Sequence, residues 1–431
     1  MNVPASSWAR RSTFERIAIG LMLGTSASLV SSPRLEAREV TESSVAAYGP
    51  VEYDPATVYA ADSVVRAADD NFYRAIKQVE AIDPATDDGS AWRLELVKKS
   101  VVLDVPGRFD TVTDAWSFLA DATITSQATV TVQLAPGRYS FETPLCLDHK
   151  DAARILVDGG RRPKDCVLVF TRTNGIEVND GGGLLIKGIT VKAADEGASQ
   201  YTGIAVGHGA NVRLENCTIE GFHLGVLASD GGRIEAKKSS VTTTADRANT
   251  NGFRAANTGV IILVDCSATK TGGSEYSIGF MSTSGGFMVC EGCVARDWEG
   301  GFHANRGGDM KLRDSRAEGN NTGLSAFKGS AVDAQDCAFT GNTLWGINAS
   351  TSAVVASGCS ISGSRVGCWA VSGGSVHFAD RRSRIRNCSV SALSSKGGGT
   401  FDGIRPEMSA NRTQTTVIPN STPPGQVILW N

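Results

Sequence analysis

The feature that most restricts what this chain can fold into is a repeat that begins at Gly175 and runs towards the C-terminus. Its unit opens on glycine, then an apolar residue, any residue, and a small residue. The instances are GIEV at Gly175, GIAV at Gly203, GVLA at Gly225, GFRA at Gly252, GFMS at Gly279, GFHA at Gly301, GLSA at Gly323, GINA at Gly346 and GCWA at Gly367. Their starts are spaced by 28, 22, 27, 27, 22, 22, 23 and 21 residues. Each unit continues into further alternating runs, such as Asn211–Ile219 and Ala331–Phe339. Apolar residues at every second position mark a strand with one buried face. Three short strands in roughly 22 residues, each coil stacked on the last, predict an all-β, right-handed single-stranded parallel β-helix. A leucine-rich repeat is excluded by the missing Leu-x-x-Leu-x-Leu core, and a left-handed hexapeptide helix by the coil length.

Composition supports this. Forty-eight glycines in 431 residues suit a chain of many tight turns, and an all-helical fold is excluded. Lys plus Arg number 42 against 45 Asp plus Glu, a net charge of −3, so the basic excess of a nucleic-acid binder is missing. Cys217, Ser239, Cys266, Cys293, Ser315, Cys337, Cys359 and Cys388 recur at one position of successive coils. They predict an inward stack of small side chains, with reduced thiols rather than disulfides, since stacked positions rarely meet disulfide geometry.

Five regions follow. Residues 1–44 hold Arg10-Arg11 and an apolar run from Ile17 to Gly24, which suit a signal peptide or an anchor segment. Residues 45–97 form a small N-terminal β module, and 98–150 a capping helix with the first coil. The solenoid occupies 151–396, and 397–431 a closing segment. Asp110–Asp121 reads as the amphipathic capping helix, with Thr111 or Thr113 as N-cap. No stretch reaches the ~20 apolar residues of a membrane span.

Two segments resemble known families. Tyr53, Asp62-Ser-Val64, Phe72-Tyr73-Arg-Ala75, Pro84 and Trp92 resemble the small aromatic carbohydrate-binding module of chitinases, with Ala61 where that pattern has glycine. TVTDAWSFLADATITSQATVTVQLAPGRYSF (111–141) followed by ILVDGG (155–160) is similar to the β-helix entry of bacteriophage tailspike and receptor-binding proteins. The resemblance implies a virion protein, a homotrimer attached to other tail or spike proteins, that recognises bacterial surface polysaccharide and in many relatives depolymerises it. The alternatives are an exported, secreted or periplasmic polysaccharide lyase, hydrolase or epimerase, and a non-catalytic structural spike component.

Candidate site residues come from one corner of the coil, where the longer units carry their extra residues. Asp297 and Glu318 fall on adjacent coils, at a spacing suited to the two carboxylates of glycoside hydrolysis, with Glu299 as substitute. Trp298, Trp345 and Trp369 are expected to project outward, for stacking on sugar rings or for subunit contact. His303 and Arg306 suit an acidic sugar, and Tyr276 and Glu220 are further candidates for substrate contact. Cys290 and Cys293 form a lone C-x-x-C with no second pair at zinc-finger distance, so no metal site is expected, and no cofactor motif is present in the sequence.

Overall fold

The computed structural model describes residues 51–180, 182–195, 200–244, 249–272, 276–417 and 426–430. The Arg10-Arg11 segment and the apolar run after it lie outside the described residues. Residues 52–431 form one unit.

That unit is a parallel β-helix of three long sheets. The first has 14 strands, from Val101–Val105 to Gln426–Trp430; the second has 12, from Gly137–Phe141 to Glu407–Ser409; the third has 12, from Leu145–Cys146 to Thr415–Val417. Each coil visits the third, first and second sheets in turn, so every strand pairs with its counterpart one coil away. The interior fills with stacked rows. In the third sheet Ile204, Val226, Phe253, Phe280, Phe302, Leu324 and Ile347 stand in register. The Phe253, Phe280 and Phe302 rings stack face to face, 5.3 and 4.9 Å between centroids. The glycine that opens each unit allows this closeness: a Cβ on Gly252 would lie 2.5 Å from the Gly279 carbonyl oxygen of the next coil.

The corner from the first sheet to the second explains the cysteines. Asn216, Asp265, Gly292, Asp314, Asp336, Gly358 and Asn387 all turn there with positive φ, a conformation that Gly, Asn and Asp tolerate best. The next residue in each coil points inward and forms the predicted ladder, buried throughout, with all ten cysteines free. Cys217 and Cys266 Sγ donate to the Ile186 and Ala236 carbonyls, and Ser239 Oγ donates to Lys237 while accepting from the Cys217 amide. A hydroxyl and a thiol therefore perform the same task, capping a corner carbonyl in a small space. Burial pushes the Cys217 and Cys266 thiols up to about 12, which leaves them unreactive.

The N-terminal end is closed as expected. Helix α1 (Val112–Leu119) is capped by Thr111, whose hydroxyl accepts from the Asp114 amide, and buries Val112, Ala115, Trp116, Phe118 and Leu119 over the open coil. The small module contributes Val64–Arg66, Phe72–Ala75 and Trp92–Val97 to a four-stranded sheet that Thr123–Ile124 of the cap region completes. Phe72, Tyr73 and Trp92 of the aromatic motif are buried, and Trp92 Nε1 donates to the Ile82 carbonyl. These side chains build the core of the module. Within the closing segment, Thr400–Ile404, Glu407–Ser409 and Thr415–Val417 extend all three sheets. The glycine-led unit stops, but the alternation that buries Phe401 continues.

Candidate functional site

Two outward faces compete for function, and their polar groups are treated differently. On the second sheet, charges pair along the ladder: Lys192 with Glu220 at 3.5 Å, Arg296 with Glu318 at 3.0 Å, and Arg384 and Arg386 with Glu407 at 3.3 and 2.5 Å. Asp297 and Glu318 do lie on adjacent coils, joined by a 3.4 Å bond from the Asp297 amide to the Glu318 carbonyl. Asp297 is exposed in a turn with φ 62°. Glu318 is held by Arg296, and Glu299 accepts the Tyr276 backbone N–H. Tyr276 is 67% exposed beside a longer corner, and Glu220 is held by Lys192.

The third sheet differs. Arg254, Met281, His303, Ser325, Asn348 and Trp369 form one outward row on six successive coils. Arg254 Nε and Asn348 Oδ1 in this row are buried without a hydrogen-bond partner, as is Asn305 Oδ1 two residues beyond His303. Buried polar groups are normally satisfied, so three orphans on one face mark where a ligand or ordered water belongs. The Arg254 guanidinium is pushed below its usual range first by burial and then by the charge of Arg306. Two cations facing one region, one of them buried and unpaired among the described residues, call for an anion. Burial pushes the His303 imidazole down to about 4, and its Nδ1 lies 2.7 Å from Ser325 Oγ. At neutral pH this histidine is uncharged, in a form able to accept a proton.

The three tryptophans divide. Trp345 and Trp369 are partly exposed on adjacent coils of the third sheet, with ring centroids 6.3 Å apart. Trp298 does not project outward: it is 2% exposed and packs in the core, its amide held by Asn320 Oδ1. The left-handed turn at Asp297 breaks the strand alternation and swings the next residue inward. Asn320 and Asn342 follow in an internal ladder, each amide nitrogen donating to a carbonyl of the preceding coil, Ala295 and Ala317.

Arg254, Ser325, Asn305 and Asn348 are thus candidate site residues that a pairing of carboxylates does not signal. Their signal lies in the repeat itself. The third position of the opening unit, where any residue occurs, is the outward row. Read down the units it runs Glu, Ala, Leu, Arg, Met, His, Ser, Asn, Trp, between two positions that stay apolar or small.

Residues 155–334 match the family described as the right handed beta helix region. Among solved structures, one mutant of the periplasmic alginate epimerase AlgG is similar with a TM-score of 0.56 and 10% identity, covering 80% of this chain and 86% of that one. A second AlgG mutant gives 0.53, again at 10% identity and with the same coverage. At that identity the likeness concerns the fold. No curated protein matches the chain.

Proposed function

We propose that this chain is an exported polysaccharide-active protein that holds an acidic glycan along the outward face of the third sheet. The observation that carries the reading is the unpartnered Arg254 Nε, two coils from a neutral His303 and accompanied by the orphaned Asn305 and Asn348 oxygens. A uronate ring fits this chemistry. Its carboxylate is neutralised by Arg254 and Arg306, which acidifies the C5 proton beside it, and His303 accepts that proton. Return of a proton to the opposite face gives the C5 epimer. Loss of the C4 oxygen, with C4=C5 forming and the departing oxygen protonated, gives a lyase product instead. Trp345 and Trp369 supply flat apolar surface for neighbouring sugars.

The likeness to periplasmic alginate epimerases supports this reading over the virion spike, and gives no support to a homotrimer or to tail-protein partners. Export agrees with the Arg10-Arg11 segment, and the thiols of the inward ladder are shielded from oxidants by burial. A second reading, hydrolysis by Asp297 and Glu318 with Glu299 in reserve, rests on the adjacency of the first two. The test is incubation of the full chain with polyuronates, alginate among them, in deuterated water. The reading expects deuterium at uronate C5 or an unsaturated product, lost in His303→Ala. Cleavage of a glycan without C5 exchange, abolished by Glu318→Gln, would favour the second reading.

A further inference from the structure

We infer that Ser325 is a positioning residue that selects the tautomer of His303, leaving Nε2 as the nitrogen able to take a proton. The inference rests on the reading of His303 as the proton acceptor. Ser325 follows His303 by one coil in the same outward row, and is only 3% exposed. Its Oγ lies 2.7 Å from His303 Nδ1 and 3.5 Å from the Phe302 carbonyl oxygen. Nε2 of His303 has no partner among the described residues.

A serine hydroxyl has one proton to give and lone pairs to receive. When the hydroxyl donates to the Phe302 carbonyl, it receives the Nδ1 proton, and the Nε2 lone pair is left for a ligand in the groove. When it donates to Nδ1 instead, the ring proton must sit on Nε2, and the histidine can no longer act as a base there. A neutral imidazole must choose between these forms, and His303 is neutral because it is buried. The relay Nδ1–H to Ser325 Oγ–H to Phe302 carbonyl satisfies both donors at once. Second-sphere partners of this kind fix ring orientation and tautomer at histidine sites generally.

The test is long-range proton–nitrogen NMR of the full chain labelled at histidine, with His303 assigned by His303→Gln. The inference expects the Nδ1–H tautomer in the wild type, a shift towards Nε2–H in Ser325→Ala, and retention of Nδ1–H in Ser325→Thr. Turnover on polyuronate should fall by about tenfold in Ser325→Ala with KM unchanged, and return in Ser325→Thr. An Nε2–H tautomer in the wild type, or one unmoved by Ser325→Ala, overturns the inference. The base reading is judged separately: if C5 exchange survives in His303→Ala, that reading fails whatever the tautomer.

Discussion

Arg254 and His303 occupy the same outward row of the third sheet, two coils apart, with Met281 between them. At ~4.8 Å per strand the two backbones lie roughly 10 Å apart, close enough for long side chains to meet one ligand between them. The solenoid gives that separation for no extra cost, since every residue in the row inherits its place from the stacking.

The tryptophans should separate binding from folding. Trp345→Ala and Trp369→Ala remove partly exposed rings and should weaken glycan binding by about fivefold to tenfold, near 1–1.4 kcal/mol, with the melting temperature little changed. Trp298→Ala empties a core site and should cost about 3–5 kcal/mol of stability. Trp298→Phe should be much milder, because the indole Nε1 has no partner to lose. Titration calorimetry and thermal unfolding on the same four variants check this.

Acid should weaken the fold through His303. Its folded pKa is lowered to about 4 by burial, whereas the unfolded side chain titrates near 6.5. The unfolded state therefore binds the proton first as pH falls, and stability is full above about 6.5 and lost progressively down to about 4, by at most about 3 kcal/mol. In His303→Gln the denaturant midpoint should vary less with pH across that window.

The carboxylates of the second sheet should prove dispensable for binding. Asp297→Asn removes an exposed turn side chain, and Glu318→Gln removes an exposed ion pair worth under about 1 kcal/mol. Both variants should keep wild-type glycan affinity and C5 exchange in an NMR assay. Loss of activity in either, with the fold intact, would move the site to that corner.

The inward ladder should obey size and not redox state. Cys266→Ser should fold normally, since serine already occupies the equivalent places at 239 and 315, and reductant should leave the melting temperature unchanged. Cys266→Leu should destabilise by about 1–3 kcal/mol through overpacking. Thermal unfolding with and without reductant checks both.

Much of the fold was legible because a solenoid writes its geometry into the chain repeatedly. Gly252 and its equivalents set the coil spacing, and Asn216 with Cys217 and their equivalents mark one corner and the residue behind it. The capping helix and its Thr111 cap were equally local. What local pattern missed was direction after a turn: Asp297 adopts a left-handed conformation, so Trp298 faces the core although alternation sends it outward. The outward row of the third sheet was not legible for another reason. Paired carboxylates are a familiar signature, but Glu318 is satisfied by Arg296, and only three-dimensional accounting shows that Arg254 has no counter-ion among the described residues. His303 and Arg306 were singled out for their chemistry, and the row that unites His303 with Arg254 and Ser325 needed register.

The most direct test of the central claim is affinity electrophoresis of the full chain through gels containing a polyuronate or a neutral glucan, for the wild type and Arg254→Met. The account predicts retardation of the wild type by the polyuronate alone, and its loss in Arg254→Met with the melting temperature retained. Equal mobility in both gels, or retardation unaffected by Arg254→Met, would contradict it.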